Sequence, residues 1–528
     1  MTTVTDQPQQ HLAGPLSAAV ANLCTRLQPQ VSARTAAGFR EVLRRLSAPL
    51  QVAVAGRIKS GKSTLVNALI GRRVAPTDVG ECTRLVTRFQ YGTVDRVEIV
   101  FDDGRKQVLP FSADGMIPND LEVDFDKVSH LEAYLTNAVL RDLTVIDTPG
   151  LGSLDAASVK RTEQLLGAAK HRAPEDDEEN AEEGGDELDD TSRNAVAGAE
   201  AVLYVVTQGV RADDQQALAA FTAATASREA GPVNAIAVLN KADTIAAESV
   251  SGSDGDVWKA ASLLAEKQAA TLKPRVADVI PVIGLIAESA ETGNFTSADA
   301  DALRSLSKLD DATWETMLMS ADIFTTWDCE VAEGTRMRLL EKLDLFGIRT
   351  GVDALRRDPE LTAGALRRTL LNASGLAGVR GRLDAVFRAR ADGIKAAAAL
   401  ASVTALAHAS GDPGERQRVH DAIEVLLAKP EAHQLRLLEA LTLVTSGAVA
   451  MPEDLAEEVL RVGSSADIGE QLGMKGRPAK ELSAYALERA GWWRSFASFG
   501  ATPAQSRVAH VVHRAYFLIW QQLREQAG

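Results

Sequence analysis

Cysteine is nearly absent: Cys24, Cys82 and Cys329 are the three in 528 residues. Without a CxxC pair they give neither a disulfide framework nor a thiolate zinc site, and they fit a reducing compartment. Long hydrophobic runs are also missing. No window approaches the roughly 18 consecutive apolar residues of a membrane span, and the Ala-rich stretch from Ala396 to Ala407 is too short, so any membrane contact is expected to be peripheral. Met1 to Gln10 is polar and has no basic segment leading into an apolar one, so it does not read as a secretory signal and is expected to be a short disordered tail on a cytoplasmic protein. Basic excess is lacking as well: 57 Lys and Arg against 72 Asp and Glu leave a net charge of −15, which argues against a general nucleic-acid binder.

What is present is enough chain for roughly three domain-sized units. The negative charge is concentrated in one run, Glu175 to Asp190, whose eleven acidic side chains leave only −4 for the rest. With almost no apolar content this run reads as a solvated, disordered insertion over residues 173–193.

From Gly14 to Ala48, Leu16, Val20, Leu23, Leu27, Phe39, Val42 and Leu46 recur at helical spacing. Short apolar runs of strand character then follow at Gln51–Ala55, Val97–Phe101, Leu143–Asp147, Ala201–Thr207, Val233–Asn240 and Val279–Ile283, several of them separated by helical stretches. That alternation predicts an α/β domain with a doubly wound, mostly parallel sheet over residues 50–295, after N-terminal helices at 11–49. Beyond Phe295 the strand signal ends, and Ala, Leu, Arg and Glu dominate a predicted helical bundle over 296–528.

Gly56-Arg57-Ile58-Lys59-Ser60-Gly61-Lys62-Ser63 matches G-x-x-x-x-G-K-[ST], with a strand before it and the helix-like Thr64–Gly71 after it. Such a loop points its N–H groups at phosphates, and the following helix N-terminus adds positive potential. Lys62 would bridge the β- and γ-phosphates, and Ser63 would ligate Mg²⁺. Asp147-Thr148-Pro149-Gly150 ends a strand, so Asp147 can hold the water shell of Mg²⁺ and Gly150 can approach the γ-phosphate. Asn240-Lys241-Ala242-Asp243 ends another. A carboxylate at Asp243 can accept from N1–H and N2–H₂ of guanine, while adenine offers no matching pair, so the pattern favours GTP over ATP. In the intervening Gly80–Arg84 loop, Thr83 is the candidate to complete the Mg²⁺ shell, with Thr77 and Thr87 as competitors.

These residues resemble the guanine-nucleotide GTPases. With GRIKSGKST, ECTRLVT and the flanking helices, the chain resembles the bacterial dynamin-like proteins, and among them the isoniazid-inducible actinobacterial subgroup. The resemblance implies GTP hydrolysis, nucleotide-dependent dimerisation of GTPase domains, neck and trunk helices, and a hydrophobic tip that binds membrane. It also implies a self-associating protein, with a paralogous dynamin-like protein as a further partner, at anionic lipids of the inner face of the plasma membrane. Eukaryotic dynamins carry Gln and Ser where this loop has Ile58 and Lys59, so their catalytic arrangement does not transfer. Lys59 stands where guanylate-binding proteins place an arginine finger, with Arg57 as the alternative, and a cation there offsets charge on the transferring phosphoryl group. Expected nucleotide contacts are therefore Gly56, Lys59, Ser60, Gly61, Lys62, Ser63, Thr64, Asp147, Gly150, Asn240, Lys241 and Asp243. Pro281 to Leu285 lacks the Ser-Ala-Lys usual in the last base-contacting loop and gives no assignment.

In the bundle, Leu441 to Met451 reads either as a buried helix with its end or as the candidate membrane tip, because Ser446-Gly447 and Pro452 interrupt a strongly apolar stretch. Trp492, Trp493, Phe496 and Phe499 read as core packing or a hinge. The C-terminal helix, with Tyr516, Phe517 and Trp520, is expected to pack on the N-terminal helices. The alternative function is a slow GTP switch whose bundle recruits a protein without touching lipid.

Overall fold

The structure is a computed structural model and describes residues 12–77, 85–118, 121, 123–149, 199–210, 214–215, 218, 234–272, 276, 278–388, 390–429, 432–445, 449–464 and 467–527. Thr83, Gly150 and the acidic run 175–190 lie outside the described residues.

One sheet has the strand order β4-β3-β5-β2-β6-β1-β7-β8-β9. Its strands are β1 (Leu50–Gly56), β2 (Thr87–Tyr91), β3 (Arg96–Phe101), β4 (Lys106–Leu109), β5 (Val128–Leu135), β6 (Leu143–Asp147), β7 (Ala201–Val206), β8 (Ala235–Asn240) and β9 (Val279–Val282). From β6 through β1, β7 and β8 to β9 all pairings are parallel. Every residue of β1, β7 and β8 is buried, which is why these strands read as unbroken apolar runs. The sheet is mixed on its other side. β2 runs antiparallel to β6 and parallel to β5, and β3 is antiparallel to both β5 and β4.

The helices are α1 (Pro15–Leu27), α2 (Ala33–Ser47), α3 (Lys62–Ile70), α4 (Val257–Leu272), α5 (Gly284–Glu291), α6 (Ser297–Leu306), α7 (Asp311–Met317), α8 (Ala321–Thr326), α9 (Glu333–Arg357), α10 (Ala363–Ala373), α11 (Leu376–Leu383), α12 (Ala391–Ala409), α13 (Pro413–Leu427), α14 (His433–Thr445), α15 (Glu453–Ser464), α16 (Ile468–Gln471), α17 (Ala479–Phe499) and α18 (Pro503–Ala527). One sheet face buries Val202, Tyr204, Ala237 and Leu239 in a core shared with α4 to α10, including Trp314, Phe324, Leu343 and Ile348. The opposite face buries Val54, Phe89, Leu203 and Val238 with α3, α11 and Phe387. The core therefore continues past residue 295, the expected end of the GTPase domain, to about residue 388. Helical periodicity reports that a face is buried but not that its partner is a sheet.

Two separate cores follow. The first joins α1 and α2 to α12 and α13 through Leu16, Val20, Phe39, Leu46, Val403 and Val419. Asp392 accepts hydrogen bonds from the N–H groups of Leu16 (2.9 Å) and Ser17 (2.8 Å), which caps α1 from the start of α12. This four-helix neck is tied to the sheet by a buried ion pair between Lys395 and Glu200, 3.3 Å apart. Lys395 Nζ also donates to the Arg45 carbonyl at 2.8 Å, and Glu200 accepts from the Gln51 N–H at 3.0 Å.

The second core is a distal bundle of α14 to α18. Within it Glu458 accepts from Arg489 Nε (2.9 Å), Trp493 Nε1 (3.0 Å) and Tyr516 OH (2.6 Å), so a buried charge is fully hydrogen-bonded. Two expectations are decided here. Leu441, Val444 and Val449 are buried in this core, so of the two readings of Leu441–Met451 the described residues take the buried one and not the exposed tip; residues 446–448 lie outside the described set. The C-terminal helix α18 packs on α17 and α14 within this bundle, whereas α1 and α2 take α12 and α13 as partners. The aromatic cluster divides: Trp493 is fully buried, but Phe499, at the turn between α17 and α18, is 93% exposed. No described helix is long and apolar enough to cross a membrane.

Candidate nucleotide-binding site

β1 is buried between β6 and β7 and delivers the chain at its carboxyl end into the loop 57–61, from which α3 begins at Lys62. The loop needs two glycines. A Cβ on Gly56 (φ 149°) would lie 2.4 Å from the Val205 carbonyl, and one on Gly61 (φ 88°) would lie 2.3 Å from Asn240 Nδ2. Lys59 takes a left-handed conformation (φ 61°) and is exposed beside Ile58, which is 44% exposed. Lys62 is buried, and its Nζ folds over the loop to donate to the Arg57 carbonyl at 2.9 Å. Burial lowers its pKa to about 8, against the pull of Asp147.

β6 pairs with β1 so that Asp147 lies opposite Val54. Ser63 Oγ donates to Asp147 Oδ2 at 2.8 Å, so the two expected Mg²⁺ groups meet directly. Burial pushes the Asp147 carboxyl up to about 6, opposed by Lys62 and Ser63. Asp147 Oδ1 and Ser60 Oγ are buried with no hydrogen-bond partner. Such orphans are what a hydrated divalent cation and a phosphate oxygen would satisfy, so the residues present fit both groups. Thr148 is buried and donates through Oγ1 to the Val54 carbonyl at 2.9 Å, fixing the start of the loop that follows β6. Thr64 lies in the first turn of α3. Of the threonine competitors, Thr77 is exposed and Thr87 is buried at the start of β2.

At the end of β8, Asn240 is buried and acts as a strut: Nδ2 donates to the Ser60 carbonyl (2.8 Å), and Oδ1 accepts from the Gly284 N–H (2.9 Å). The phosphate loop and the last βα loop are thus braced through one amide. Gly284 is a site residue that the sequence reading left unassigned. A Cβ there would come within 2.9 Å of Asn240 Oδ1, and its signal was a glycine directly at a strand-to-helix junction. Lys241 (φ 59°) is exposed, and Asp243 is half-buried in a 3₁₀ turn over 242–244. Burial, reinforced by the negative charge of Asp344, raises the Asp243 carboxyl to about 6.

A phosphate-loop strand, an acidic strand end joined to its serine and, one strand further along, an N-K-x-D strand end lie in the parallel half of the sheet, and comparison with known proteins decides the family. The Dynamin family profile matches residues 52–242. The isoniazid-induced protein IniC of Mycobacterium tuberculosis is 31% identical over 457 residues, 85% of either chain.

This chain belongs to the dynamin family.

A bacterial dynamin-like protein of Nostoc punctiforme is 34% identical over 127 residues, 22% of this chain and 18% of that protein. A solved oligomerised bacterial dynamin pair, described as sensing and tethering membranes, aligns over 99% of this chain and 77% of that one at 12% identity, with a TM-score of 0.35. For the dynamin-family chain described here, the strand ends of β1, β6 and β8 form the candidate site.

Proposed function

We propose that this dynamin-family protein binds GTP with Mg²⁺ and hydrolyses its γ-phosphate. The observation that carries the reading is the Ser63–Asp147 contact at the mouth of the phosphate loop, with Asp147 Oδ1 and Ser60 Oγ buried and unpartnered beside it. Ser63, Asp147 and Thr83 would hold Mg²⁺, which supplies charge neutralisation on the β- and γ-phosphate oxygens. Lys62 leaves the Arg57 carbonyl for the phosphates. The N–H groups of Gly61, Lys62, Ser63 and Thr64 cradle them at the α3 N-terminus. Lys59, exposed on a left-handed turn, offsets charge on the transferring group, and Gly150 approaches the γ-phosphate. Asp243 reads guanine, Lys241 lies beside the base, and Asn240 holds the two loops in register.

We further propose self-association through the GTPase domain and action at the inner face of the plasma membrane, remodelling, bridging or stabilising it. Phe499 supports membrane contact: it stands almost fully exposed at the α17–α18 turn, near the stacked pair Trp492 and Phe496 (5.4 Å between ring centroids). A phenylalanine at a helix-hairpin turn can enter a lipid interface without unsatisfied backbone groups following it.

The test is sedimentation with anionic liposomes while GTP turnover is followed across protein concentration. Wild-type protein is expected to pellet and to turn over faster with lipid and with concentration. Phe499→Asp should stay in the supernatant and keep its basal turnover. A wild-type protein that never pellets and hydrolyses GTP at a concentration-independent rate would instead be a slow switch acting on a protein partner.

A further inference from the structure

Between α10 and α11 the chain crosses from one face of the sheet to the other. Leu366 and Leu370 of α10 belong to the core that holds Val202 and Tyr204, while Leu376 and Val379 of α11 belong to the one that holds Val54 and Leu203. The crossing is a tight corner, Ser374 and Gly375, laid against β9, the last strand of the sheet. Gly375 is left-handed (φ 77°), and a Cβ on it would lie 2.7 Å from Trp258 Cη2 and 2.9 Å from the Pro281 carbonyl. Glycine alone lets the corner lie this close to the strand.

Ser374 is fully buried. Its hydroxyl donates to the Leu371 carbonyl (2.6 Å) and accepts from the Leu376 N–H (3.2 Å), which fastens the end of α10 to the start of α11. Its carbonyl accepts from the Ile283 N–H at 2.8 Å. Ile283 follows β9 directly, and the next residue, Gly284, donates to Asn240 Oδ1 at 2.9 Å. Asn240 in turn precedes the 3₁₀ turn that carries Asp243. Two consecutive main-chain N–H groups of the loop after β9 are thus held from outside it, one by the corner and one by the N-K-x-D strand end. The loop has no Ser-Ala-Lys of its own, and these anchors fix it instead. The corner is itself pinned: Arg380 of α11 donates through Nη2 to the Ala68 carbonyl of α3 (3.1 Å) and to Glu291 Oε1 of α5 (2.8 Å).

We propose that the Ser374–Gly375 corner is a specificity-determining positioning element of the guanine site: the Ser374 carbonyl fixes the loop after β9, and that loop, through Gly284 and Asn240, fixes the turn that carries Asp243. This rests on the base-reading role proposed for Asp243. The effect is differential. Phosphates and Mg²⁺ are met by groups on β1, β6 and α3, which serve every nucleoside diphosphate alike, and the Asn240 bond to the Ser60 carbonyl does not involve the loop after β9. A base whose two N–H donors must both meet one carboxylate loses affinity when that carboxylate is displaced, whereas adenine makes no such pair and has nothing to lose.

The experiment measures dissociation constants of fluorescent GDP and ADP analogues for the full chain and for Gly375→Ala, Ser374→Ala and Leu370→Ala, with the melting temperature of each. Gly375→Ala forces the corner away from Trp258 and Pro281. Ser374→Ala keeps the carbonyl and unties it from the two helices. Leu370→Ala empties part of the core under α10 and serves as the measure of lost stability alone. GDP affinity should fall about tenfold in Gly375→Ala and several-fold in Ser374→Ala, with ADP affinity changed by less than about twofold in both. The GDP-to-ADP ratio of Leu370→Ala should equal that of the wild type. An unchanged ratio in both corner variants overturns the proposal and leaves Asp243 in its role. Equal losses of GDP and ADP overturn it as well, as does a ratio that falls as far in Leu370→Ala, since a structural role would then suffice. If Gly375→Ala does not fold, Ser374→Ala decides by the same criterion. A wild-type protein that binds GDP no better than ADP overturns the base-reading role of Asp243 itself, and this inference with it.

Discussion

Lys62 spends its charge on the Arg57 carbonyl and, among the described residues, has no carboxylate bonded to it, so its burial is costly until phosphate oxygens arrive. Lys62→Ala is expected to leave the fold intact and to weaken GTP and GDP binding more than 100-fold, roughly 3 kcal/mol or more, measured by titration calorimetry. Retained affinity would remove Lys62 from the phosphate site. Selectivity belongs to Asp243: Asp243→Asn should keep phosphate-driven binding and lose most of the preference for GDP over ADP in competition binding. An unchanged ratio would contradict the base-reading role. At this scale the sequence was informative because G-x-x-x-x-G-K-S, D-T-P-G and N-K-x-D each need particular residue types at fixed offsets. Asn240 was legible as a position but not as a strut, since its two partners, the Ser60 carbonyl and the Gly284 N–H, are 180 and 44 residues away. The Ser374–Gly375 corner was invisible, because a serine and a glycine between two helical stretches read as an ordinary turn.

Among the elements, β1, β6, β7, β8 and β9 stood out as apolar runs because helices cover both faces of the parallel half. β2, β4 and β5 did not. Their outer surface is a ladder of charges in which Lys106 pairs with Glu98 (3.2 Å) and Glu132 (2.7 Å), so alternation replaces a run and resembles an ordinary polar segment. The distal helices give a pH-dependent prediction. α14 is fastened to α18 by His433, whose Nε2 lies 2.9 Å from the Val511 carbonyl, and burial lowers this imidazole to about 4. The unfolded chain binds the proton more readily, near pH 6.5, so stability contributed by neutral His433 is full above that value and is lost as pH falls toward about 4. His433→Gln keeps a donor and does not titrate. Thermal melts of the two proteins between pH 7.5 and 4.5 should diverge, the wild type losing more; parallel curves would show that His433 does not govern the acid response.

Across the described residues, three packed units are joined in part by polar ties, and one between neck and sheet is the Lys395–Glu200 pair. Lys395→Met should destabilise the protein by about 3 kcal/mol, because Glu200 is left buried with only the Gln51 N–H. Adding Glu200→Gln should recover much of that loss in chemical denaturation. Equal destabilisation of the single and double variants would mean that volume, not charge, matters there. Lys395 also reaches the Arg45 carbonyl, which means that the chain leaves the neck after α2 and returns to it at α12 within the reach of one side chain. More than three hundred residues, the entire sheet and its helices, are therefore threaded between two points that nearly touch. The four neck helices form a closed scaffold whose continuity hardly depends on what is looped out between those points. A few linker residues in place of residues 49–390 would join α2 to α12 across that gap and connect the neck to the distal bundle as an uninterrupted helical chain.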